Sequence, residues 1–404
     1  MNSFDIIIIG GGAAGYFTAI NIAEANKNLS IAILERGKDV LTKVRISGGG
    51  RCNVTHACFD ATEMIKNYPR GEKELRGPFH AFGAAETVAW FERHGVALKT
   101  EADGRMFPVS DSSQTIIDCM VKAAEKLGLK VFTGQSVQSV FQSGDQWKLD
   151  TQNAAYRCRK LIMATGSNPK IWELLTTLGH KIVPPVPSLF TFNIKDSRIT
   201  NLPGVSAMAT VKVIDTKLVA SGPLLITHWG MSGPAILKLS AWGARILAER
   251  DYKFKVSVNW LHDAEVTDVE AQIKNIKQEH ARKLVSKTSV FGLPNRLWEN
   301  LVAAAIISGD TKWADLNKVQ TKNLISELVT GTFEVNGKST FKEEFVTAGG
   351  VDLKEVNFKT MESKVLPNLY FAGEIVNIDA ITGGFNFQNA WTSAYIISKS
   401  VTAF

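Results

Sequence analysis

The residues in this sequence best suited to chemistry begin with a run of glycines. Gly10-Gly11-Gly12-Ala13-Ala14-Gly15 follows the apolar run Asp5–Ile9 and opens an alanine-containing segment that reads as a helix to about Ala25. A second strand-like run, Ser30–Leu34, ends at Glu35, twenty residues after Gly15, with Arg36 beside it. Each part has a physical reason. Gly10 permits the tight turn, Gly12 lets backbone approach a pyrophosphate, and Gly15 brings helix against strand. The N-terminus of the helix, at Ala13 and Ala14, offers unpaired N–H groups to phosphate charge. Glu35 is placed to accept hydrogen bonds from a ribose hydroxyl, and a carboxylate there disfavours a 2′-phosphate. Three glycines alone would be a weak signal; in this strand–turn–helix context they indicate a dinucleotide site.

Which dinucleotide is decided near the other end of the chain. Asn368-Leu369-Tyr370-Phe371-Ala372-Gly373-Glu374 is a buried strand ending in Gly-Glu. Flavin enzymes of the glutathione-reductase-like type close their FAD site in this way, with the carboxylate near the ribityl hydroxyls or the pyrophosphate. Gly384, Phe385 and Asn386 then lead into a closing helix whose first N–H groups would face the electron-rich pyrimidine edge of an isoalloxazine. The strand Lys160–Ala164, ending Ala164-Thr165-Gly166, matches a further element of such flavoproteins. These three features together indicate FAD rather than NAD.

Four motifs carry a family resemblance. They are Ile46-Ser47-Gly48-Gly49-Gly50-Arg51-Cys52-Asn53-Val54-Thr55, Thr227-His228-Trp229-Gly230-Met231-Ser232-Gly233-Pro234, Thr360-Met361-Glu362-Ser363-Lys364, and the block from Ala372 through Asp379 to Asn386. Taken in order, they resemble the BaiN-like, aminoacetone-oxidase-like family of FAD-dependent oxidoreductases (YhiN-like flavoproteins). The resemblance spans nearly the whole chain. It implies an α/β fold: a glutathione-reductase-like FAD-binding Rossmann domain with an inserted β-barrel-like part and a small helical part. It also implies that Lys43 and the loop Gly48, Gly49, Gly50, Arg51, Cys52 and Asn53 wrap the ribityl and phosphate side of the flavin, and that Asp379 belongs to the site. Val137 falls where such folds make backbone contact with adenine. His56 and Asn377 depart from the family pattern, in positions that bear on substrate choice rather than FAD.

Three successive glycines allow close backbone approach, and Arg51 beside them can neutralise phosphate. A flavin carries the hard step, so the protein need only orient a substrate against N5 and supply a proton. His228 is the acid–base candidate by side-chain type. Cys52 is the second catalytic candidate, although packing near FAD is the simpler reading. Pairing Cys52 with Cys58 would leave five intervening residues rather than the usual four. Arg105 either binds an acidic substrate or braces a loop. Residues 167–345 contain no second G-x-G-x-x-G turn, so NADH or NADPH would bind transiently over the flavin. The resulting expectation is hydride transfer at flavin N5 to or from a small organic substrate, with NAD(P)H-dependent reduction favoured. An oxygen-using amine oxidase is the alternative, and a flavin-bearing RNA-associated protein is a third reading.

The elements needed to position these residues are legible in outline. Helices are expected over Ala84–His94, Ser113–Leu127 and Asn389–Val401; strands over Leu129–Thr133, Ser136–Phe141, Trp147–Asp150, Thr332–Val335 and Phe345–Thr347. The prolines at 184, 185 and 187 open a region of short strands, Phe190–Ile194, Ala207–Val213 and Phe254–Val258, followed by a more helical and charged stretch. The expected domains are residues 1–189 with 346–404 for FAD, 190–261 with 331–345 for the β-barrel-like part, and 262–330 for a small helical domain. At 404 residues, 45% hydrophobic and 21% charged, the chain has an ordinary globular composition with room for more than one core. No apolar run approaches a membrane span, and the apolar N-terminus runs straight into the glycine turn, so a cytoplasmic protein is expected. Its four cysteines show no C-x-x-C spacing, so no metal site is expected. The formal net charge of +7 favours anionic partners. A nucleic-acid partner is nonetheless not expected, because no long basic run or recognition motif accompanies that charge.

Overall fold

The computed structural model describes residues 1–339 and 346–402. Its contacts divide the chain into two compact units, Met1–Val186 with Lys342–Phe404, and Pro187–Phe341.

The first unit is built on five parallel strands in the order Leu369–Phe371, Ala155–Met163, Asn2–Ile9, Ile31–Leu34 and Lys130–Phe132. Such central strands are covered on both faces, which is why Ile6, Ile7, Ile8 and Ile9 form an unbroken apolar run, every one of them buried. The helix Ala13–Ala25 has no polar face to show, because it is covered along most of its length. It packs on the long closing helix Phe385–Thr402, with Phe17 at the centre. The Phe17 ring lies 4.4 Å from Trp90, 5.2 Å from Trp391 and 5.7 Å from Phe82. A hairpin, Val137–Ser143 with Gln146–Thr151, pairs onto Ala155–Met163. A three-stranded sheet, Thr55–His56, Arg105–Pro108 and Leu98–Thr100, supports the loop that follows the helix Thr42–Gly50.

The second unit is a seven-stranded antiparallel sheet in the order Gly331–Asn336, Lys253–Asn259, Ser206–Val213, Val219–Thr227, Gly230–Ser232, Thr191–Asn193 and Lys338–Ser339. Gly337 joins the first strand in this order to the last and bonds on both sides, donating its N–H to the Tyr252 oxygen at 2.8 Å and accepting the Asn193 N–H at 3.1 Å, so the sheet curls round on itself as a barrel. The helices Val266–Glu279, Asn295–Ala304 and Lys318–Val329 bury Ile273, Trp298, Leu301, Leu324 and Leu328 in the same apolar cluster as the barrel residues Val211, Leu224 and Val256. The stretch expected as a separate helical domain over 262–330 therefore shares the barrel's core, because its amphipathic helices have no other apolar surface to cover.

Two elements differ from the sequence reading. Ile182–Ser188 is a strand despite its three prolines, paired with Val346–Val351 in a two-stranded ribbon. A narrow ribbon leaves N–H positions that no ladder requires, which is where proline is tolerated. Val219–Thr227 is a nine-residue strand that sequence pattern missed. Its burial alternates strictly, but Gly222 and Pro223 read as a turn, and the outward positions hold Val219 and Leu225 rather than polar residues. Phe345 of the expected strand Phe345–Thr347, the part of the 331–345 domain segment from 340 onward, and residues 403–404 lie outside the described residues. Among the described residues no helix is long and apolar enough to cross a membrane.

Candidate functional site: a dinucleotide cradle in the first unit

The glycine turn is held by contacts that only glycine permits. A Cβ on Gly10 would lie 2.3 Å from the Ala164 carbonyl oxygen, and one on Gly15 would lie 1.9 Å from the Gly10 oxygen. Gly10 and Gly15 thus lock strand, turn and helix together. Gly12, the N-cap of Ala13–Ala25, is different: nothing lies within 4 Å of its Cβ position, and no side chain caps the helix. The open N-terminus faces free space, as an anion site requires.

Glu35 accepts the Gly11 N–H at 2.7 Å through one oxygen and the Gly37 N–H at 2.7 Å through the other. These bonds fix the carboxylate at the base of a pocket lined by Gly10, Glu35, Arg36, Gln135, Val137, Thr165, Asn168 and Lys170. The pocket lies beyond the carboxyl ends of the parallel strands, where open α/β sheets bind ligands. Val137, the residue that the resemblance places at adenine, is part of its lining. Gln135, Asn168 and Lys170 were not legible in the sequence, because they enter from the start of the hairpin and of the helix Pro169–Thr177.

The late segments meet this turn. A Cβ on Gly373 would lie 3.2 Å from Ala14, and its N–H is taken by Ser393 Oγ at 2.9 Å. Glu374 pairs with Lys43 at 2.7 Å, accepts the Thr347 N–H at 3.3 Å, and has an oxygen 3.7 Å from the Cβ position of Gly166. Lys43, Gly166, Gly373 and Glu374, spread over 331 positions of sequence, therefore sit together.

The helix that begins at Thr42 breaks at Ser47, and Gly48, Gly49, Gly50 and Cys52 beyond the break all have positive φ; nothing lies within 4 Å of the Cβ positions of Gly49 and Gly50. Asn53 Oδ1 is buried without a protein hydrogen-bond partner among the described residues, close to the Cβ position of Gly384 at 2.8 Å. In the helix that follows, the Gln388 N–H closes on the Gly384 oxygen, so the N–H groups of Phe385, Asn386 and Phe387 precede the first intrahelical bond. Thr347 Oγ1 and Asn389 Oδ1 are also buried and unpartnered among the described residues. Open glycine faces, orphaned acceptors and a free helix N-terminus fit a bound dinucleotide with a polar ring at its far end.

Four residues expected at the cofactor or in catalysis do other work. The Arg51 guanidinium does not reach out to phosphate; it lies 4.0 Å over the Phe107 ring and pairs with Glu101 at 2.6 Å and Asp111 at 3.5 Å. Three-stranded-sheet residues thus hold the loop by its arginine. Arg105 braces the same group, pairing with Asp103 at 2.7 Å and Glu101 at 2.9 Å. Asp379 is fully buried in an ion pair with Arg70, and the Asn386 side chain bonds the Ala380 N–H and C=O at 3.0 and 3.1 Å. Both pin the turn ahead of the closing helix, leaving its backbone for the ligand. Cys52 is buried, and burial pushes its thiol up to about 12, so it stays a neutral thiol unsuited to nucleophilic or redox work. All four cysteines are free.

His228 and Trp229 form the two-residue turn between Val219–Thr227 and Gly230–Ser232, exposed at a hairpin of the second unit. His56 is the histidine placed beside the cradle. Its ring stacks on Phe385 at 4.7 Å, Nε2 meets the Asp103 carbonyl oxygen at 3.1 Å, and burial holds its pKa below the usual range. Its sequence signal was the departure from the family pattern.

The chain matches the family model described as HI0933-like protein Rossmann domain over residues 4–400. The chain belongs to this family. It is the family that the four motifs resemble, and FAD is its cofactor. Over 413 residues the chain is 30% identical to a protein named ribosomal RNA dihydrouridine synthase from Escherichia coli (strain K12), covering 100% of this chain and 99% of that protein. It is 27% identical over 406 residues to a 3-dehydro-bile acid delta(4,6)-reductase from Clostridium scindens, covering 97% and 98% respectively. Among solved structures, 3-ketosteroid-delta4-(5alpha)-dehydrogenase from Rhodococcus jostii RHA1 superposes with a TM-score of 0.53 at 14% identity, over 100% of this chain and 97% of that one. An Escherichia coli quinol fumarate reductase FrdA superposes with a TM-score of 0.51 at 13% identity, over 100% of this chain and 70% of that one. The fold is that of glutathione-reductase-like flavoenzymes, and the chain is an FAD-dependent oxidoreductase.

Proposed function

We propose that this chain reduces a carbon–carbon double bond conjugated with a carbonyl, using NADH or NADPH as transient reductant, and that the bond lies in a uridine ring of ribosomal RNA. The observation that supports this most is the 30% identical relative, matched from end to end, whose name gives a product that is uridine with its ring double bond saturated. The bile-acid reductase is named for the same kind of bond, in a different molecule. A set of residues built for one dinucleotide, with no second glycine turn over 167–345, leaves the nicotinamide to visit rather than reside.

FAD, when bound, supplies a hydride acceptor and donor at N5. This chain's residues do the rest by position. Glu35 and the pocket around Val137 hold the adenosine end, and Gly12 with the helix Ala13–Ala25 holds the pyrophosphate. Lys43 and Glu374 flank the ribityl side. The N–H groups of Phe385, Asn386 and Phe387 would favour negative charge on the pyrimidine edge of the flavin. The reaction balances as one hydride and one proton added across the double bond, with the nicotinamide oxidised. The proton donor proposed here is a histidine, His56 beside the cradle or His228 at the hairpin turn.

The test is anaerobic. NADH or NADPH should bleach the bound flavin, and unmodified ribosomal RNA transcript should restore its colour while gaining two hydrogens at a uridine, read by mass spectrometry of the digested nucleosides. Prompt peroxide production with aminoacetone, and no response to either nicotinamide, would replace this reading with the amine oxidase.

A further inference from the structure

Positive charge is unevenly spread along this chain. Residues 187–341 hold 19 basic and 14 acidic residues, against 27 and 25 in the rest of the chain. Within the second unit the excess is concentrated further: residues 280–322 hold seven basic residues and three acidic ones. A solvated helical face commonly mixes both signs in pairs, so the placement of the cations decides whether this excess means anything.

Several of them are mounted on fixed backbone. The segment around Leu284 runs antiparallel to that around Lys312, with the Trp313 N–H on the Lys283 oxygen at 3.0 Å, the Ala314 N–H on the Ala281 oxygen at 3.1 Å, and the Val285 N–H on the Thr311 oxygen at 2.9 Å. Beneath it, Trp313 and Trp298 are fully buried and stacked at 6.1 Å. This pairing puts Arg282 and Lys283 beside Lys312. The Lys277 ammonium bonds the Leu316 oxygen at 2.5 Å, tying the last turn of Val266–Glu279 to the start of Lys318–Val329. On that helix Lys318 and Lys322 are four apart and share a face. Arg282, Lys283, Lys312, Lys318 and Lys322 are all exposed, and none has an ion-pair partner among the described residues. Of the three acidic residues in this stretch, Glu299 pairs with Lys287, Asp310 takes the Ser308 hydroxyl, and Asp315 bonds none of the five. Unpaired cations on a rigid platform suit a partner that carries its own array of negative charge.

We infer that Arg282, Lys283, Lys312, Lys318 and Lys322 form the surface on which structured RNA docks, through its phosphates rather than its base edges. This rests on the RNA part of the proposed function. Phosphate contacts position a nucleic acid without reading its sequence, so recognition of the target uridine is left to the flavin site. Exposed aromatic side chains for stacking are missing from this stretch, which fits a folded RNA rather than a single strand.

The test uses the FAD-loaded full chain and in-vitro-transcribed ribosomal RNA of Escherichia coli. Two charge-reversal variants, R282E/K283E/K312E and K318E/K322E, are compared with K253E/K255E on the barrel. Each of the first two should weaken binding by about tenfold or more and flatten the dependence of affinity on salt, while the barrel variant should change neither. Flavin content and anaerobic bleaching by NADH or NADPH should be the same in all, which shows that the fold survives. Unchanged RNA affinity in the two patch variants overturns the surface, and so does failure of the unaltered protein to bind at low salt. Equal loss of affinity in the barrel variant, or equally tight binding of duplex DNA of the same length, reduces the patch to a general polyanion effect and overturns it too. Salt-sensitive binding through the patch without any dihydrouridine would leave the surface standing and overturn the proposed reaction instead.

Discussion

Glycine-rich motifs stand in both units, but with opposite consequences for space. In the first unit Gly12, Gly49 and Gly50 have nothing within 4 Å of their Cβ positions, so the missing side chains leave room for a ligand. In the second, a Cβ on Gly230 would lie 2.2 Å from the Phe192 oxygen, and one on Gly233 would lie 2.8 Å from the Pro223 oxygen. There the missing side chains are filled by the barrel's own backbone. Two motifs that look equally rich in glycine therefore differ in kind. The faces of Gly49 and Gly50 are open, whereas Gly230 and Gly233 pack one barrel strand tightly onto another. Buried polar atoms without a partner among the described residues occur in both units, Asn53 Oδ1, Thr347 Oγ1 and Asn389 Oδ1 among them in the first, Thr227 Oγ1 and the indole N–H groups of Trp260 and Trp313 in the second.

Substitutions can break this contrast, starting with the largest effect. Gly10→Val places side-chain atoms in the Ala164 backbone and should abolish flavin binding, leaving protein without the visible absorbance of bound oxidised flavin; retained flavin would mean that the turn is not the cradle. Arg70→Met leaves the Asp379 charge buried beneath the closing helix and should lower unfolding free energy by about 3–5 kcal/mol in urea titrations. The loss should carry flavin content with it, because the same turn presents Phe385.

Gly230→Ala sharpens the contrast from the other side. Its φ of 149° and the 2.2 Å approach should cost about 1–3 kcal/mol, seen as a lower urea midpoint, while the folded fraction keeps its full flavin complement. Loss of flavin in proportion to activity, with unchanged stability, would make Thr227–Pro234 a ligand loop after all.

A pH effect comes next. His180 is buried against Ser363 at 2.8 Å, and Ser363 Oγ already accepts the Val365 and Leu366 N–H groups, so its hydrogen goes to His180 Nε2. Burial holds the folded pKa of His180 below its ordinary 6.5, so the unfolded chain takes up the proton first. Stability from this group is complete above 6.5 and is lost as pH falls below it. Thermal melts should therefore drop by a few degrees between about pH 7.5 and 5.5, and His180→Gln should flatten that slope. The smallest expected change is Lys43→Met. The Lys43–Glu374 pair is half exposed on the lysine side, so its loss should weaken FAD binding only a few-fold, measured by flavin fluorescence quenching.

The sequence by itself determined the dinucleotide turn, its acidic partner and the late Gly-Glu strand, because each rests on local requirements: an apolar run, positive or open glycine positions, and a carboxylate at a fixed distance. It also marked a region of short strands and the helices after it, but not that they share one core, since amphipathic helices do not name the surface they cover. Tertiary structure alone decided which polar residues meet the ligand. Arg51, Asp379 and Asn386 lie in the right motifs, yet their side chains are taken by Glu101, Arg70 and Ala380, partners that are up to 309 positions away. Gln135 and Lys170 enter the pocket beside Glu35 with no motif to announce them. A motif fixes where backbone goes; the partner of a charged side chain depends on what folding brings within about 3 Å of it, and a linear pattern does not contain that distance.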